Sequence, residues 1–497
     1  MKARFMARGY DEAIIQEQMD LALNHTKTPG IPTTKPPKKS RYGKYTVCQS
    51  VHPTNESNLK LKLQKLGCHF TWEIQEKDFD VEELEERLDG QLVYLDLDSK
   101  SRVYNLLAYT KSLKNNYQEA VSDLQKAEET LKELNLLETH RKYLLTYSNF
   151  AWVYHCINDY EMSKVYIDKI EAIYQDSKEY QDLVLSEITG EQGWALVNCG
   201  GNYYEKAKEC FEEALKGNPD DPEWNSGYAT IVYRLEIFRG RNHPNYKIFS
   251  FQLLKRAVML NPKDSVIKAL FALKLQELKK YEEAQNCIDD ALQQSPDVPY
   301  VLRYAAKFYR RAQMFVDAIS VLKKAVSITP NSGFLHHQLG LCYREMMKQR
   351  KRQARYLGSN QEENKEIREL AEKSIFHFEV VLEVKRSFLH AHFDLADMYI
   401  MFDQLEKAEE TYKKALELTT IPDHERQQVH LQYGIFLENV MRCKDRAVIQ
   451  YKMCLLIPDQ TKYRHRCEIY LKRIAKEKRD PADHCLLVVI NLRRRDN

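Results

Sequence analysis

The run Ala306-Lys-Phe-Tyr-Arg-Arg-Ala-Gln-Met-Phe-Val-Asp-Ala318-Ile-Ser-Val-Leu322-Lys-Lys-Ala325-Val-Ser-Ile-Thr-Pro330 has a plain internal rhythm. A small residue is followed after twelve positions by alanine, after four by a large apolar residue, after three by alanine, and after five by proline. The same ladder stands 34 residues earlier as Ala272, Ala284, Ile288, Ala291 and Pro296, and further upstream as Ala195, Ala207, Phe211, Ala214 and Pro219. Looser copies run Ala108/Ala120/Leu124/Ala127, Ala151/Ser163/Ile167/Ile170 and Ala396/Ala408/Tyr412/Ala415. Gly340 continues the small-residue series of Ala272 and Ala306.

A 34-residue period is that of tetratricopeptide repeats, each a pair of antiparallel helices. Small residues let the paired helices approach closely, and proline ends the second helix. The expected fold is therefore all-α: a tetratricopeptide-repeat superhelix, a helix-turn-helix solenoid in two or three subdomains around a basic central groove. Residues 1–58 are expected to be a largely disordered N-terminal extension, with a Pro/Thr/Lys-rich linker at 26–40. Residues 59–185 form an N-terminal helical subdomain and 186–345 a central one carrying the groove. A charged helix and loop over 346–372 acts as a pivot, and 373–497 make a C-terminal subdomain whose end looks truncated.

Composition narrows the function classes. Gly (16) and Pro (15) are scarce in 497 residues, which disfavours a turn-rich β protein. No run approaches the ~18 apolar residues of a membrane span, and the N-terminus has no secretory apolar core. The eleven cysteines form no CxxC pair and no zinc spacing, as expected of reduced thiols in a cytoplasmic protein. There is no phosphate-binding glycine loop, HExxH or GxSxG, so neither an enzyme nor a cofactor nor a metal is expected. His336–His337 are adjacent, and neighbouring helical positions point apart, so they do not chelate together.

Charge singles out one region. In Tyr300–Arg311, Leu302, Ala305, Ala306 and Tyr309 share an apolar face, while Tyr300, Arg303, Tyr304, Lys307 and Arg311 share another. The first helix of a tetratricopeptide unit lines the inner surface, so the Tyr/Arg face points into the groove. One unit on, Phe334, His337 and Gln338 occupy the positions of Tyr300, Arg303 and Tyr304, and Arg344 that of Arg310, which also faces the groove. Residues 300–355 carry twelve Lys/Arg against Asp317 and Glu345, a net of +10, while the whole chain is +3. A basic groove interleaved with aromatics suits a phosphate-bearing partner whose bases stack. The alternative is a protein-interaction scaffold that clamps an acidic peptide.

Gly67-Cys68-His69-Phe70-Thr71-Trp72, Tyr104-Asn-Leu-Leu-Ala-Tyr109, Gly193-Trp-Ala-Leu196 and Phe334-Leu-His-His-Gln-Leu-Gly-Leu-Cys-Tyr343 resemble the interferon-induced proteins with tetratricopeptide repeats. The resemblance runs over roughly residues 59–455. It implies a cytosolic antiviral effector that holds the 5′ end of single-stranded RNA, triphosphorylated or capped without 2′-O-methylation, in a basic tunnel, and so sequesters it or blocks its translation. It also implies contact residues, Tyr300, Arg303, Tyr304, His337, Gln338, Arg234, Tyr204, Arg87 and Gln91, to which the helix-face reading adds Lys307, with Trp194 stacking on a cap guanine near Leu95. Trp194 also falls at a packing position of its own repeat. Asn198 departs from the family, which has a phosphate-contacting lysine there. Family paralogues and the translation machinery are the implied protein partners, with no membrane.

Overall fold

The computed structural model describes residues 53–93, 97–134, 139–176, 181–238, 244–357, 361–419 and 421–478. Among them there are 21 α-helices and no strand. The expected N-terminal extension lies outside the described residues except where the first helix begins at Pro53. The described residues divide into two compact units, 53–308 and 309–478.

The first unit contains α1 (Pro53–Leu63), α2 (Val81–Leu92), α3 (Leu97–Leu113), α4 (Tyr117–Leu134), α5 (Tyr143–Cys156), α6 (Tyr160–Asp176) and α7 (Gln181–Cys199). It continues through α8 (Tyr204–Gly217), α9 (Pro222–Phe238), α10 (Pro244–Leu260), α11 (Ser265–Glu277), α12 (Tyr281–Gln294) and most of α13 (Pro299–Arg311). From α3 to α12, consecutive helices pack in pairs: α3 on α4, α5 on α6, α7 on α8, α9 on α10 and α11 on α12. The ladder residues of these pairs, Ala108 to Ala127, Ala151 to Ile170, Ala195 to Ala214 and Ala272 to Ala291, are all buried. Ser163, which replaces alanine in the second copy, donates its hydroxyl to the Ala151 carbonyl at 2.9 Å. It thereby keeps a polar group satisfied at a position where a larger side chain would separate the helices.

The turn inside a pair is closed by one recurring device. Asn115, Asn158 and Lys279 sit at φ 60°, 64° and 62°, just past the end of the first helix. The next amide then reaches back five residues: Asn116 to the Lys111 carbonyl, Asp159 to Tyr154 and Lys280 to Leu275, at 2.9–3.0 Å. This is the left-handed helix stop that glycine usually occupies. Here the scarcity of glycine means that ordinary side chains take the strained conformation, at about 1–2 kcal/mol each.

Two polar clusters knit the first unit. Buried His69 meets Asn149 (3.1 Å to Nδ2), which donates to Asn105 at 2.8 Å, which donates to Thr146 at 2.9 Å. The Gly67–Trp72 motif is therefore part of the core. Between α9 and α11, Lys274 Nζ contacts both Glu236 oxygens at 2.7 Å, and Ser250 of α10 donates to the same carboxylate at 2.6 Å. Lys274 and Glu236 are 0% and 4% exposed, so each charge depends on its partner.

The second unit holds the end of α13, then α14 (Phe315–Ile328), α15 (Gly333–Leu357), α16 (Gln361–Val384), α17 (Leu389–Met401), α18 (Leu405–Leu416), α19 (Asp423–Asn439), α20 (Lys444–Leu456) and α21 (Lys462–Lys478). α15 is 25 residues long and runs straight on past Tyr343, as its uninterrupted charged continuation predicts. It packs on α16, α17 packs on α18, and α19 packs on α20. A Cβ added to Gly340 would lie 2.5 Å from the ring of Phe378, so the α15–α16 contact requires glycine there. Nearby, His336 and His377 face each other through Nδ1 atoms 2.9 Å apart, and His336 Nε2 lies 2.9 Å from the Pro330 carbonyl. Burial lowers the pKa of both, that of His336 to about 4.

Candidate functional site

The first helices of successive pairs, α7, α9, α11 and α13, present their inner faces to a cavity of about 230 Å³ in the first unit. Its lining includes Arg87 from α2, Val197 and Asn198 from α7, Tyr204 at the start of α8, Tyr233 and Arg234 from α9, Leu270 from α11, and Tyr300, Arg303, Tyr304 and Lys307 from α13. The α13 face splits as its periodicity predicts. Leu302, Ala305, Ala306 and Tyr309 are buried, while Arg303 and Lys307 keep partial exposure. Gly200, at φ 106°, ends α7 in a conformation that L side chains rarely adopt, and it contributes backbone alone to the lining.

Four of the lining residues are cationic and none is a carboxylate. Arg87 and Arg234 are oriented by neutral groups. Arg87 Nη2 donates to the Asn198 carbonyl at 2.5 Å. Arg234 donates to the Val197 carbonyl at 3.4 Å and to the Tyr304 hydroxyl at 3.5 Å, and lies 5.9 Å over the Tyr204 ring. Lys307 Nζ stands 5.8 Å from the Tyr233 ring. Gln91, one turn after Arg87, donates to the Tyr300 hydroxyl at 3.2 Å and so couples α2 to α13.

The electrostatics reflect this crowding. Burial holds the Arg303 guanidinium below its ordinary value, and Arg234 and Arg87 push the same way against Tyr304 and Tyr300. At Arg234, burial also opposes the charge, but the hydroxyls of Tyr304, Tyr204 and Tyr300 outweigh it and the net shift is upward. Both arginines are charged at neutral pH. An anion entering this space would offset the repulsion between them and replace water with charge-assisted hydrogen bonds.

The structure therefore gathers Arg87, Tyr204, Arg234, Tyr300, Arg303, Tyr304 and Lys307 around one space, with Gln91 bonded to its edge. The other expected residues behave differently. Trp194 is not among the lining residues: it packs edge-on against Phe211 at 5.5 Å, with the Arg102 guanidinium 5.3 Å over its ring. Arg102 is in turn held by Glu191 at 2.9 Å and Glu223 at 3.5 Å. Leu95 lies outside the described residues. His337 and Gln338 are on α15 in the second unit. There His337 Nε2 contacts Asp394 at 2.7 Å, and Arg344 pairs with the same carboxylate at 2.5 Å. Part of the +10 stretch is thus answered from outside it, by Asp394 and Glu366.

Asn198 leaves the cavity without the lysine of the resemblance. Its side chain turns back to the Trp194 carbonyl at 3.1 Å, while its own carbonyl receives Arg87. Sequence reasoning missed Tyr233 and Leu270. Leu270 was within reach of the repeat register, because it stands 34 residues before Tyr304. Among the described residues, no cluster of three His, Cys, Asp or Glu could hold a metal, and no helix is long and apolar enough to cross a membrane.

The profile of the Psidin N-terminal TPR repeats region matches residues 236–365, and the tetratricopeptide repeat profile matches 101–130 and 389–420. The chain is 38% identical over 429 residues to the human protein IFIT1 homolog B, covering 85% of this chain and 90% of that one. It is 39% identical over 431 residues to the antiviral innate immune response effector IFIT1 of Macaca fascicularis, covering 86% and 89%. Among solved structures it is similar to the monomeric mutant of IFIT1 with Gppp-AAAA, at 37% identity and a TM-score of 0.72, covering 85% of this chain and 92% of that one. It is also similar to the human IFIT1 dimer with PPP-AAAA, at 36% identity and a TM-score of 0.66, covering 84% and 90%. Identity of this size over most of both lengths, on a fold built from the same repeat, makes this chain a member of the interferon-induced proteins with tetratricopeptide repeats.

Proposed function

We propose that this protein binds the 5′ end of single-stranded RNA in the cavity between α2, α7, α9 and α13, and acts as a cytosolic antiviral effector by occupancy. The carrying observation is a lining with four cations and no carboxylate, interleaved with four tyrosines. Arg87, Arg234, Arg303 and Lys307 neutralise the terminal phosphates. Tyr204, Tyr300 and Tyr304 orient the guanidinium groups and offer ring faces to the first bases. Gln91 and the tyrosine hydroxyls are suited to ribose and phosphate oxygens. The ligands of the structurally similar IFIT1 proteins, PPP-AAAA and Gppp-AAAA, share a phosphate chain on a short adenine run, which fits this reading. Bound RNA is withheld from translation.

The test is a binding panel of one RNA sequence with 5′-triphosphate, Gppp, m7Gppp or 5′-hydroxyl ends, titrated at several salt concentrations. Phosphate-bearing ends should bind more tightly than the hydroxyl end. Four released counterions would give a log–log salt slope of roughly −3. Equal affinity for all four ends would remove the basis of the reading.

A further inference from the structure

The ladder that sets the buried side of each second helix also sets its outer side. Counted from the ladder's second-helix residue, the positions four and seven residues on share its inward face, while those two, six and nine residues on lie opposite. In α4, α6, α8, α12, α14 and α18 the middle outer position is always charged: Lys126, Lys169, Glu213, Asp290, Lys324 and Lys414. α20 keeps the inward set, with Ala447, Tyr451 and Cys454 all 0% exposed. Its outer set is Ile449, Met453 and Leu456, which are 56%, 43% and 70% exposed. This helix therefore presents an apolar stripe to solvent where the six others carry charge, the pattern of a contact face.

The course of the chain supplies the occupant. α21 packs on α20. The Arg464 guanidinium donates to the Leu455 carbonyl at 2.6 Å, and the rings of Tyr470 and Tyr451 stack at 5.2 Å. The two helices are thus antiparallel, and α21 ends beside the start of α20. Seven residues past Lys478, outside the described residues, the run Cys485-Leu-Leu-Val-Val-Ile-Asn-Leu492 carries no charge. Seven extended residues reach about 23 Å. From the start of α20, Ile449 is about 8 Å along the axis and about 16 Å round a helix about 10 Å across, or about 18 Å over the surface. The run therefore reaches the stripe, and its length covers the roughly 10 Å from Ile449 to Leu456 in any ordinary backbone conformation.

We propose that residues 485–492 fold back and dock on the Ile449–Met453–Leu456 face of α20. Leucine, valine and isoleucine side chains leave water on both surfaces at once. Arg493, Arg494 and Arg495 follow directly and bring to this outer surface the charge that α20 itself lacks.

The experiment uses the full chain carrying Met453→Cys, oxidised with diamide and mapped by mass spectrometry without reduction. An intramolecular disulfide between the introduced thiol and native Cys485 is expected. Tethering alone brings the thiols together now and then, so the deciding comparison adds Leu487→Asp with Val489→Asp, which leaves the tether length unchanged. Loss of docking should slow the cross-link by at least about tenfold through the lower effective concentration. In the chain without the added thiol, the same two aspartates should raise binding of an apolar-surface dye several-fold. Further substitution by Ile449→Lys and Leu456→Lys should return it to the wild-type level. The proposal is overturned if the aspartates leave the cross-linking rate or the dye binding unchanged. It is equally overturned if the introduced thiol cross-links chiefly between two chains, which would make a second copy the occupant.

Discussion

Arg303→Met separates what the cavity costs the free protein from what it gives the complex. In the free protein, the Arg303 charge is disfavoured by burial and by Arg234 and Arg87. Methionine retains much of the stem volume and removes the charge. Replacing charges in such surroundings with apolar groups is commonly neutral or stabilising by about 1–4 kcal/mol. At the lower bound, about 1 kcal/mol corresponds to a rise of roughly 2–4 °C in Tm for a unit of this size. Binding should move the other way. Loss of one charge-assisted phosphate contact costs about 1.5–3 kcal/mol, or roughly 10- to 150-fold in Kd. Thermal scans with and without 5′-triphosphate RNA read both effects. At a hundred times the wild-type Kd, RNA stabilises the wild type by about 2.7 kcal/mol and a tenfold weaker variant by about 1.4. A variant that melts well below the wild type, yet gains as much from RNA, would refute the claim that Arg303 is held for ligand at the expense of stability.

Asn198→Lys should add a fifth cation to the lining and tighten 5′-triphosphate RNA binding by roughly 10- to 100-fold, with a steeper salt slope in a fluorescence titration. No change would mean that the Asn198 side chain, bonded to the Trp194 carbonyl, does not face the phosphates. Gly340→Ala should destabilise the second unit by about 1–3 kcal/mol in urea unfolding, because its Cβ would sit 2.5 Å from the buried Phe378 ring. Gln313→Gly should stabilise the protein by about 1 kcal/mol in the same assay, since Gln313 is held at φ 61°. Acidification should destabilise the fold. His336 takes a proton near pH 4 when folded and near 6.5 when unfolded, so between those values the unfolded chain binds more protons. Stability should be fully present above about pH 6.5 and fall by about 3 kcal/mol from this group alone as pH drops toward 4. A flat melting profile from pH 7 to 4 would contradict this.

Local features were legible because they depend on short spacings. The twelve-four-three ladder named the buried face of every pair it covered, since contacts within a helical hairpin are set by residue size at fixed intervals. The two faces of α13 followed from 3.6-residue periodicity. The strained turn residues were not legible. Lys279 and Gln313 carry no glycine signal, and their conformation follows from the need to stop one helix and start its partner.

The sequence by itself determined that this is a repeat array of paired helices, and that a Tyr/Arg face lies on the inner side of one pair. Those conclusions need only neighbours within about one repeat. Only the tertiary structure decided which cations share a space: Arg87 reaches the carbonyl of Asn198, 111 residues away, and Gln91 the hydroxyl of Tyr300, 209 residues away. It also decided which cations are answered elsewhere, as Arg344 is by Asp394 and Arg102 by Glu191. The reason is geometric. Small differences in the stacking of successive pairs accumulate along a superhelix, and long-range charge partners depend on that sum.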